Sequence, residues 1–361
     1  MIASRKDDHV RHAVSQQRDP GPNDFDSIAF VHHALAGIDG DDVSLAVDVA
    51  GKRWDTPLFV NGMTGGSPHT GEINRQLAIA ARETGIPIAS GSMSAYFRDP
   101  SVAGTFRVLR QENPHGFVMA NVNATATLDE IRRAIDLLEA DALQIHLNAV
   151  QEIVMPEGDR SFGSWPQQIE RITANTPVPV IVKEVGFGLS RPTVTWLRDA
   201  GVAVADVGGR GGTNFARIEN DRRPTADFSF LENWGQSTPT CLLDCAGVTG
   251  IDLFASGGIR SPLDMARALA LGANATGVAG RFLETLVSHG TEALVETIRT
   301  WLDQLRQILT VLGAPTPADL AGSDLLITGA VDTFCRLRGI DAAAYAHRSP
   351  WWNESGRRSH P

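Results

Sequence analysis

Residues 143–160 read LQIHLNAVQEIVMPEGDR. The segment belongs to an apolar β-run, Ala142-Leu143-Gln144-Ile145, that ends in His146, Asn148, Gln151 and Glu152 within seven positions. An imidazole, two carboxamides and a carboxylate are poor material for a core, because burying polar groups is costly unless each finds a partner. They are good material for a ligand site at the C-terminal end of a strand.

The same passage from apolar run to polar end recurs along the chain. Further strand candidates lie at 58–61, 86–89, 117–120, 180–182, 202–205, 253–255 and 275–278, separated by helical patterns such as 71–84, 128–140 and 262–271. Strands that read as apolar runs have both faces buried, as in a parallel sheet. Eight such βα units in about 225 residues predict an α/β fold, the (β/α)8 TIM barrel. The runs are followed by NGMTGG, SGSMS, NVNAT, HLNAVQE, KEVGFG, DVGGRGG, SGGIR and AGR. Glycine and polar residues thus crowd every C-terminal strand end, the active-site face of a barrel. A doubly wound sheet would gather its site at one switch point instead.

The expected organisation is an N-terminal arm over 1–55, the barrel over 56–285, C-terminal helices over 286–346 and a tail over 347–361 with the composition of disorder. A hairpin at 43–49 and 53–54 could plug the barrel bottom. The connection 208–251 is long enough to read as a lid or an interface; it carries a charged stretch, 217–223, and a helix around 234–245.

A net charge of −10 argues against broad nucleic-acid binding. No run approaches the roughly 18–20 apolar residues of a membrane span, and the polar N-terminus lacks a signal-peptide core, so a soluble cytoplasmic protein is expected. Cys241, Cys245 and Cys335 fit no disulfide or metal framework; the first two read as a buried helix face.

Two motifs at the last strand ends, SGGIR (256–260) and GVAGR (277–281), flank an amphipathic helix. Glycine loops and helix N-termini hold phosphate with backbone N–H groups. Gly257, Gly258, Arg260, Ala279 and Gly280 are therefore phosphate-site candidates, although such glycines can also serve only as turns. Lys183 ends the fifth strand on the same face, where a buried ammonium needs an anionic or π partner; a reduced flavin, anionic at N1, would supply one. Glu184 alternates outward. Met63, Thr64, Gly65, Ser92, Asn121 and Thr213 complete a rim suited to a flat, phosphate-tailed cofactor. FMN fits better than a nicotinamide dinucleotide, since no GxGxxG turn opens a helix after a strand.

Near the N-terminus, Ser4 and Asp7 resemble a capping box, so a helix is expected to begin at Arg5. Arg5, His9 and His12 would then share one stripe, able to hold a second phosphate or to remain a solvated face. One carboxylate among amides, Glu152, suits Mg2+ held mainly by substrate phosphates. Zinc would need clustered His and Cys that are missing.

Together RKDDH, FVHHAL, NGMTGG, IASGSM, QIHLN followed by QE and PEGDRSF, VIVKEVG, GGRGGT and ASGGIR resemble the type 2 isopentenyl-diphosphate isomerases, an FMN-dependent barrel family. The likeness spans about residues 5–345 in the family's order, and GSMSAY and WGQST are similar to actinobacterial members. It implies interconversion of isopentenyl and dimethylallyl diphosphate with reduced FMN, NADPH as reductant and Mg2+ on the diphosphate, in a homo-oligomer (tetramer or octamer). In the family the flavin's N5/N1 region is taken as acid–base, and either it or the glutamine delivers the proton. The resemblance maps Gln151 onto that glutamine and Glu152 onto the Mg2+ contact. Arg5, Lys6, His146 and Asn148 map onto diphosphate binding, with His9 on the same arm. Thr64, Ser92, Asn121, Lys183, Thr213 and the Gly257-Gly258 loop map onto FMN. Many members carry Gln-Arg after the second strand's Gly-Ser, where this chain has Met93-Ser94. Arg98 is the candidate substitute.

Two other functions compete. An FMN-dependent 2-hydroxy-acid oxidase would need a histidine base at a late strand end, where this chain reads DVGGRGG. A non-catalytic flavin scaffold would have no use for a Gln–Glu pair facing a basic arm.

Overall fold

The computed structural model describes residues 2–18 and 21–349, with side chains from Asp7 onward. Strand β1 (Ile28–Phe30) precedes an antiparallel hairpin of β2 (Val47–Val49) and β3 (Lys52–Trp54). Eight parallel strands then close a barrel: β4 (Leu58–Val60), β5 (Ile88–Ala89), β6 (Val118–Asn123), β7 (Ala142–Leu147), β8 (Val180–Glu184), β9 (Val204–Asp206), β10 (Asp252–Ser256) and β11 (Ala275–Val278). β11 pairs back onto β4. A last strand, β12 (Leu325–Ile327), runs antiparallel to β1. The (β/α)8 barrel expected from the alternation is the fold.

Local chemistry starts and stops the helices between these strands. Helix Pro68–Thr84 begins at a Ser67–Thr70 capping box and ends on Gly85 in the left-handed region. Helix Leu128–Leu138 begins at a Thr127–Glu130 box and buries Ile131, Ala134 and Leu138.

The barrel's inner wall changes character along its axis. Its lower layer is apolar, with Phe59, Met119, Ile181, Val204 and Phe254 packed together. Trp54 of the hairpin closes this layer from below, 5.2 Å from the Phe117 ring and 5.4 Å from Phe254. Ala50 N–H ties the hairpin to Asp252 at 2.7 Å. Two residues further along the strands the same face carries Asn61, Asn121, Lys183, Asp206 and Ser256. The wall turns from oil to hydrogen-bonding groups within one strand repeat.

The structure departs from the expectations, or adds to them, at four places. The N-terminal helix runs Ile2–Arg18, so Ser4 lies inside it and does not cap it; the Asp7 carboxylate instead accepts from Ser67 Oγ at 2.7 Å. The charged stretch 217–223 is largely helix Phe215–Asp221, with Glu219 and Asn220 buried. The last long helix begins at Gly280, not after residue 285, and runs to Leu312 with non-helical backbone at Gly290 (φ 86°), so the 285/286 boundary falls inside it. Residues 347–349 are tied down: Arg348 donates to Ser323 O at 2.8 Å and Ser349 N–H to Asp324 at 2.6 Å. The remainder of the expected tail, 350–361, lies outside the described residues.

Candidate active site

A cavity of about 800 Å³ opens at the C-terminal ends of the barrel strands, within the size range of cofactor and small-ligand pockets. The N-terminal helix lies beside it. Val10, Ala13 and Val14 are buried on that helix, and each buried valine stabilises the docking by about 1.5–3 kcal/mol. Gln16 fixes the register: its Oε1 accepts Asn214 N–H at 2.7 Å and its Nε2 donates to Asn214 O at 3.2 Å. Gln16 and Gln17 therefore line the cavity from the arm.

The end of β7 supplies a connected polar chain. Asn148 Nδ2 donates to Glu152 Oε1 at 2.9 Å and to Gln151 Oε1 at 3.3 Å. Gln151 Nε2 in turn donates to Glu219 Oε1 at 2.8 Å. His9 Nε2 sits 3.0 Å from the same oxygen, and Arg222 contacts Glu219 Oε2. Burial would raise the Glu219 carboxyl, but the hydrogen bond and charge of His9, then Gln151 and Arg222, outweigh it and bring the group to about 2. Glu219 is thus an anion that orients the Gln151 carboxamide. Glu152 also accepts Asp159 N–H at 2.8 Å through its second oxygen. His146 Nδ1 lies 2.8 Å from Asn121 Oδ1, whose amide oxygen can only accept, so Nδ1 carries the proton.

The far rim has the chemistry of an anion cradle. Gly257 (φ 90°) and Gly258 (φ 82°) turn the backbone ahead of helix Pro262–Ala270, and Ala279-Gly280 start helix Gly280–Leu312. A Cβ built on Gly280 would come within 2.7 Å of Gln17 Nε2 and 2.8 Å of Thr213 Oγ1. Those two donors therefore sit close over Gly280, beside the helix-start N–H groups, and together they make a donor set suited to a phosphate. Lys183 is buried at 6% exposure on the barrel wall and donates to Glu184 O at 3.3 Å. Burial pushes its ammonium down, opposed by Asp206 and then Glu184. A cationic wall group below a phosphate cradle suits a cofactor with an ionisable ring and a phosphate tail, so the residues present fit FMN.

Of the residues singled out from sequence, Gln151, Glu152, His146, Asn148, His9 and Arg98 line this cavity. So do Met63, Ser92, Asn121, Lys183 and Thr213, and the loop residues Gly257, Gly258, Arg260, Ala279 and Gly280. Thr64 and Gly65 do not. Thr64 Oγ1 is engaged with Asn74 Oδ1 behind the wall, and Gly65 packs against the Phe106 ring. Arg260 reaches the rim, but its guanidinium is held by Asp26 at 2.6 Å and Asp264 at 2.9 Å. Asn121 uses its amide on Gln144 Oε1 at 3.1 Å. His9 and His12 face acids, Glu219 and Asp221, rather than converging on an open site. The side chains of Arg5 and Lys6 lie outside the described residues. Among the described residues no group of three or more His, Cys, Asp or Glu is arranged for a metal ion. A cation here would have Glu152 and the substrate's own oxygens as ligands, the way Mg2+ is commonly bound.

Sequence reasoning missed Glu219, Asp206, Asn61, Gln144 and the arm's Gln16 and Gln17. Only Asn61 and Asp206 had a local signal, each being the first polar residue after its strand's apolar run. Glu184 is outward as expected but buried, accepting N–H groups of Val185 and Phe187 at 2.6 Å each and Gly188 at 3.2 Å. Burial raises its carboxyl; these N–H groups and Lys183 pull it back only to about 7.

Comparisons with known proteins agree with this geometry. Residues 105–327 match the family described as FMN-dependent dehydrogenase. A Nocardia farcinica protein named isopentenyl-diphosphate delta-isomerase is 78% identical over 360 residues, 99% of each chain. Proteins of the same name from Kitasatospora griseola (66% identical, 96% of this chain and 95% of theirs) and Listeria innocua (43%, 95% and 97%) are also similar. Among solved structures, a flavocytochrome b2 mutant with benzoylformate superposes with TM-score 0.62 at 17% identity, covering 85% of this chain and 77% of that one. A mandelate oxidase variant with 2-hydroxy-phenylacetamide gives 0.62 at 17%, covering 90% and 95%. At such identity the last two speak for the fold alone.

Proposed function

This chain belongs to the isopentenyl-diphosphate delta-isomerases, in their FMN-dependent type 2 form, and from that premise we propose how its cavity works. It interconverts isopentenyl diphosphate and dimethylallyl diphosphate. When bound and reduced, FMN would supply acid–base chemistry for moving the double bond.

The chain's own residues bind, orient and exclude water. Thr213, Gln17 and the N–H groups around Gly257-Gly258 and Ala279-Gly280 would take the cofactor phosphate, and Lys183 would face the ring's negative charge. Met63, Ser92 and Asn121 line the wall between them. At the β7 end, Glu152 would hold Mg2+ on the diphosphate. The resemblance assigns diphosphate oxygens to Asn148, His146, Arg5 and Lys6, with Arg98 the candidate substitute; for the first two this would take an Asn148 N–H released from Gln151 and a doubly protonated His146 donating from Nε2. An alkene is a very weak base, so proton transfer needs a donor held at close range in a dry pocket. Gln151 has access to the cavity and a carboxamide held at both its oxygen and its nitrogen, and we assign it to the reacting carbons, as the family resemblance implies.

The observation that carries this reading is the Asn148–Gln151–Glu219–His9 chain. It fixes the Gln151 carboxamide from both ends while Glu152 stands beside it. NADPH as reductant, a cytoplasmic location and a tetrameric or octameric state belong to the same proposal and rest on the family resemblance. No helix among the described residues is long and apolar enough to cross a membrane.

The test is an anaerobic isomerisation assay with FMN, NADPH and Mg2+, each omitted in turn. Turnover should require all three, with dithionite able to replace NADPH. Full activity without flavin would overturn the mechanism.

A further inference from the structure

Asp206 has no part in the reading above, yet it is fully buried on the inner wall. Three donors reach its carboxyl: Ser256 Oγ at 2.6 Å, Asn61 Nδ2 at 3.1 Å and Gly208 N–H at 3.3 Å. Each of these contacts places a donor on the carboxyl, as suits an acceptor-only carboxylate. A buried carboxylate requires a cation near it. Its register partner on the neighbouring strand is Lys183. Alternation from Val204 and Ile181 puts both side chains on the same inner face, and neighbouring strands lie only about 4.8 Å apart.

We propose that Asp206 is a positioning residue for the cofactor: anchored by Asn61 and Ser256, it holds Lys183 as a cation that discriminates anionic reduced flavin from neutral oxidised flavin. The inference rests on the FMN reading of the cavity. Lys183 has three titratable neighbours to consider. Glu184 follows it on its own strand, Asp206 pairs with it on β9, and His146 pairs with it on β7. Glu184 turns its carboxylate toward the N–H groups of the following loop, and His146 is bound to Asn121. Asp206 is the acid that shares Lys183's inner face. Burial lowers the lysine, and Asp206 is the larger of the two charges opposing it. Neutralising Asp206 should therefore let Lys183 lose its proton at lower pH, and the binding site should lose its positive charge with it.

The experiment titrates flavin-stripped protein with oxidised FMN and, anaerobically, with reduced FMN, at a series of pH values on both sides of neutrality. Asp206→Asn should weaken reduced FMN about tenfold at the alkaline end and much less at the acid end, with oxidised FMN within about twofold. Asp206→Glu should keep the wild-type profile. In a Lys183→Arg background, where the cation cannot be lost, Asp206→Asn should add no pH dependence. An unchanged profile, an equal loss for both flavin forms, a pH-independent loss or the same pH dependence with Arg at 183 overturns the inference. Asp206→Ser is a second neutral variant should the Asn variant fail to fold by circular dichroism. If neither neutral variant folds while Asp206→Glu does, the charge serves the fold and the inference is likewise overturned. Wild-type protein that takes up neither flavin form would overturn the FMN reading and this inference together, whereas normal wild-type binding makes the variants a test of Asp206 alone.

Discussion

Gln151 and Glu219, 68 positions apart in sequence, meet side chain to side chain, with the glutamine amide donating across 2.8 Å. A hydrogen bond to a charged group stabilises by about 1.5–3 kcal/mol. Here its larger effect is geometric, because it removes the rotational freedom of the carboxamide we assign to the reacting carbons. Glu219→Gln is expected to lower kcat about 100-fold, the scale of a misplaced reacting group, while FMN affinity stays within about twofold. Steady-state kinetics beside a flavin fluorescence titration check this; unchanged kcat would remove Glu219 from positioning. The pH sign is defined as well. The native carboxyl lies near 2, below its ordinary value of 4.5. Its stabilisation is therefore present above pH 4.5 and lost as pH falls toward 2. Melts of Glu219→Gln should be flatter than wild type across that window.

Glu184 has the opposite sign. Its native carboxyl is raised from 4.5 to about 7, so the folded protein favours the protonated form. Its contribution to stability is complete below pH 4.5 and declines as pH rises through 7. Glu184→Gln keeps an oxygen to accept the Val185 and Phe187 N–H groups without the buried charge. The variant should melt a few degrees higher than wild type at pH 8, and the two should converge near pH 5. A lower melting temperature at pH 8 would show that the ionised form is needed.

The Asn148–Glu152 bond makes a separable prediction about the metal. Asn148 Nδ2 and Asp159 N–H each take one oxygen of Glu152, holding the carboxylate plane toward the cavity. Glu152→Gln preserves an acceptor but removes the charge a hard cation requires. The Mg2+ concentration for half-maximal activity should rise about tenfold or more, and flavin affinity should not change. A Mg2+ titration that overlays wild type would count against the assignment.

The contrast between these residues explains what the sequence could reveal. The barrel was legible because burial on both faces leaves an apolar run, and because each run ends in residues no core would choose. Gln151 and Glu152 were legible for the same reason. Glu219 was not: ARIENDRR has the composition of a solvated surface, and only packing of helices Ile2–Arg18, Ala149–Val154 and Phe215–Asp221 around it creates the buried site. His9 was legible as a functional residue but not in its partner, since pairing with Glu219 spans 210 positions of chain. The Ser4 capping signature failed because helix formation extends back to Ile2. Thr64 and Gly65 sit in a motif that faces the mouth at Met63 and then turns behind the wall, a change of direction that spacing cannot convey.

Glycines of the phosphate cradle separate binding from folding. Gly257 has φ 90°, and a Cβ there would run into Gly209 O, so Gly257→Ala both strains the backbone and collides with a neighbouring carbonyl. That substitution should lower the melting temperature of the flavin-free protein. Gly280 carries no such positive φ, and its added Cβ would press on Gln17 Nε2 and Thr213 Oγ1. Both of those atoms end side chains that can give way by small rotations, so the fold should tolerate the methyl. The atoms displaced are the two side-chain donors assigned to the cofactor phosphate. Gly280→Ala should therefore weaken FMN about tenfold, a loss of about 1.4 kcal/mol, while the flavin-free protein melts within a degree or two of wild type. Riboflavin, which lacks the phosphate, should bind both proteins equally, and a matching loss for riboflavin would move the site of contact away from the Gly280 cradle.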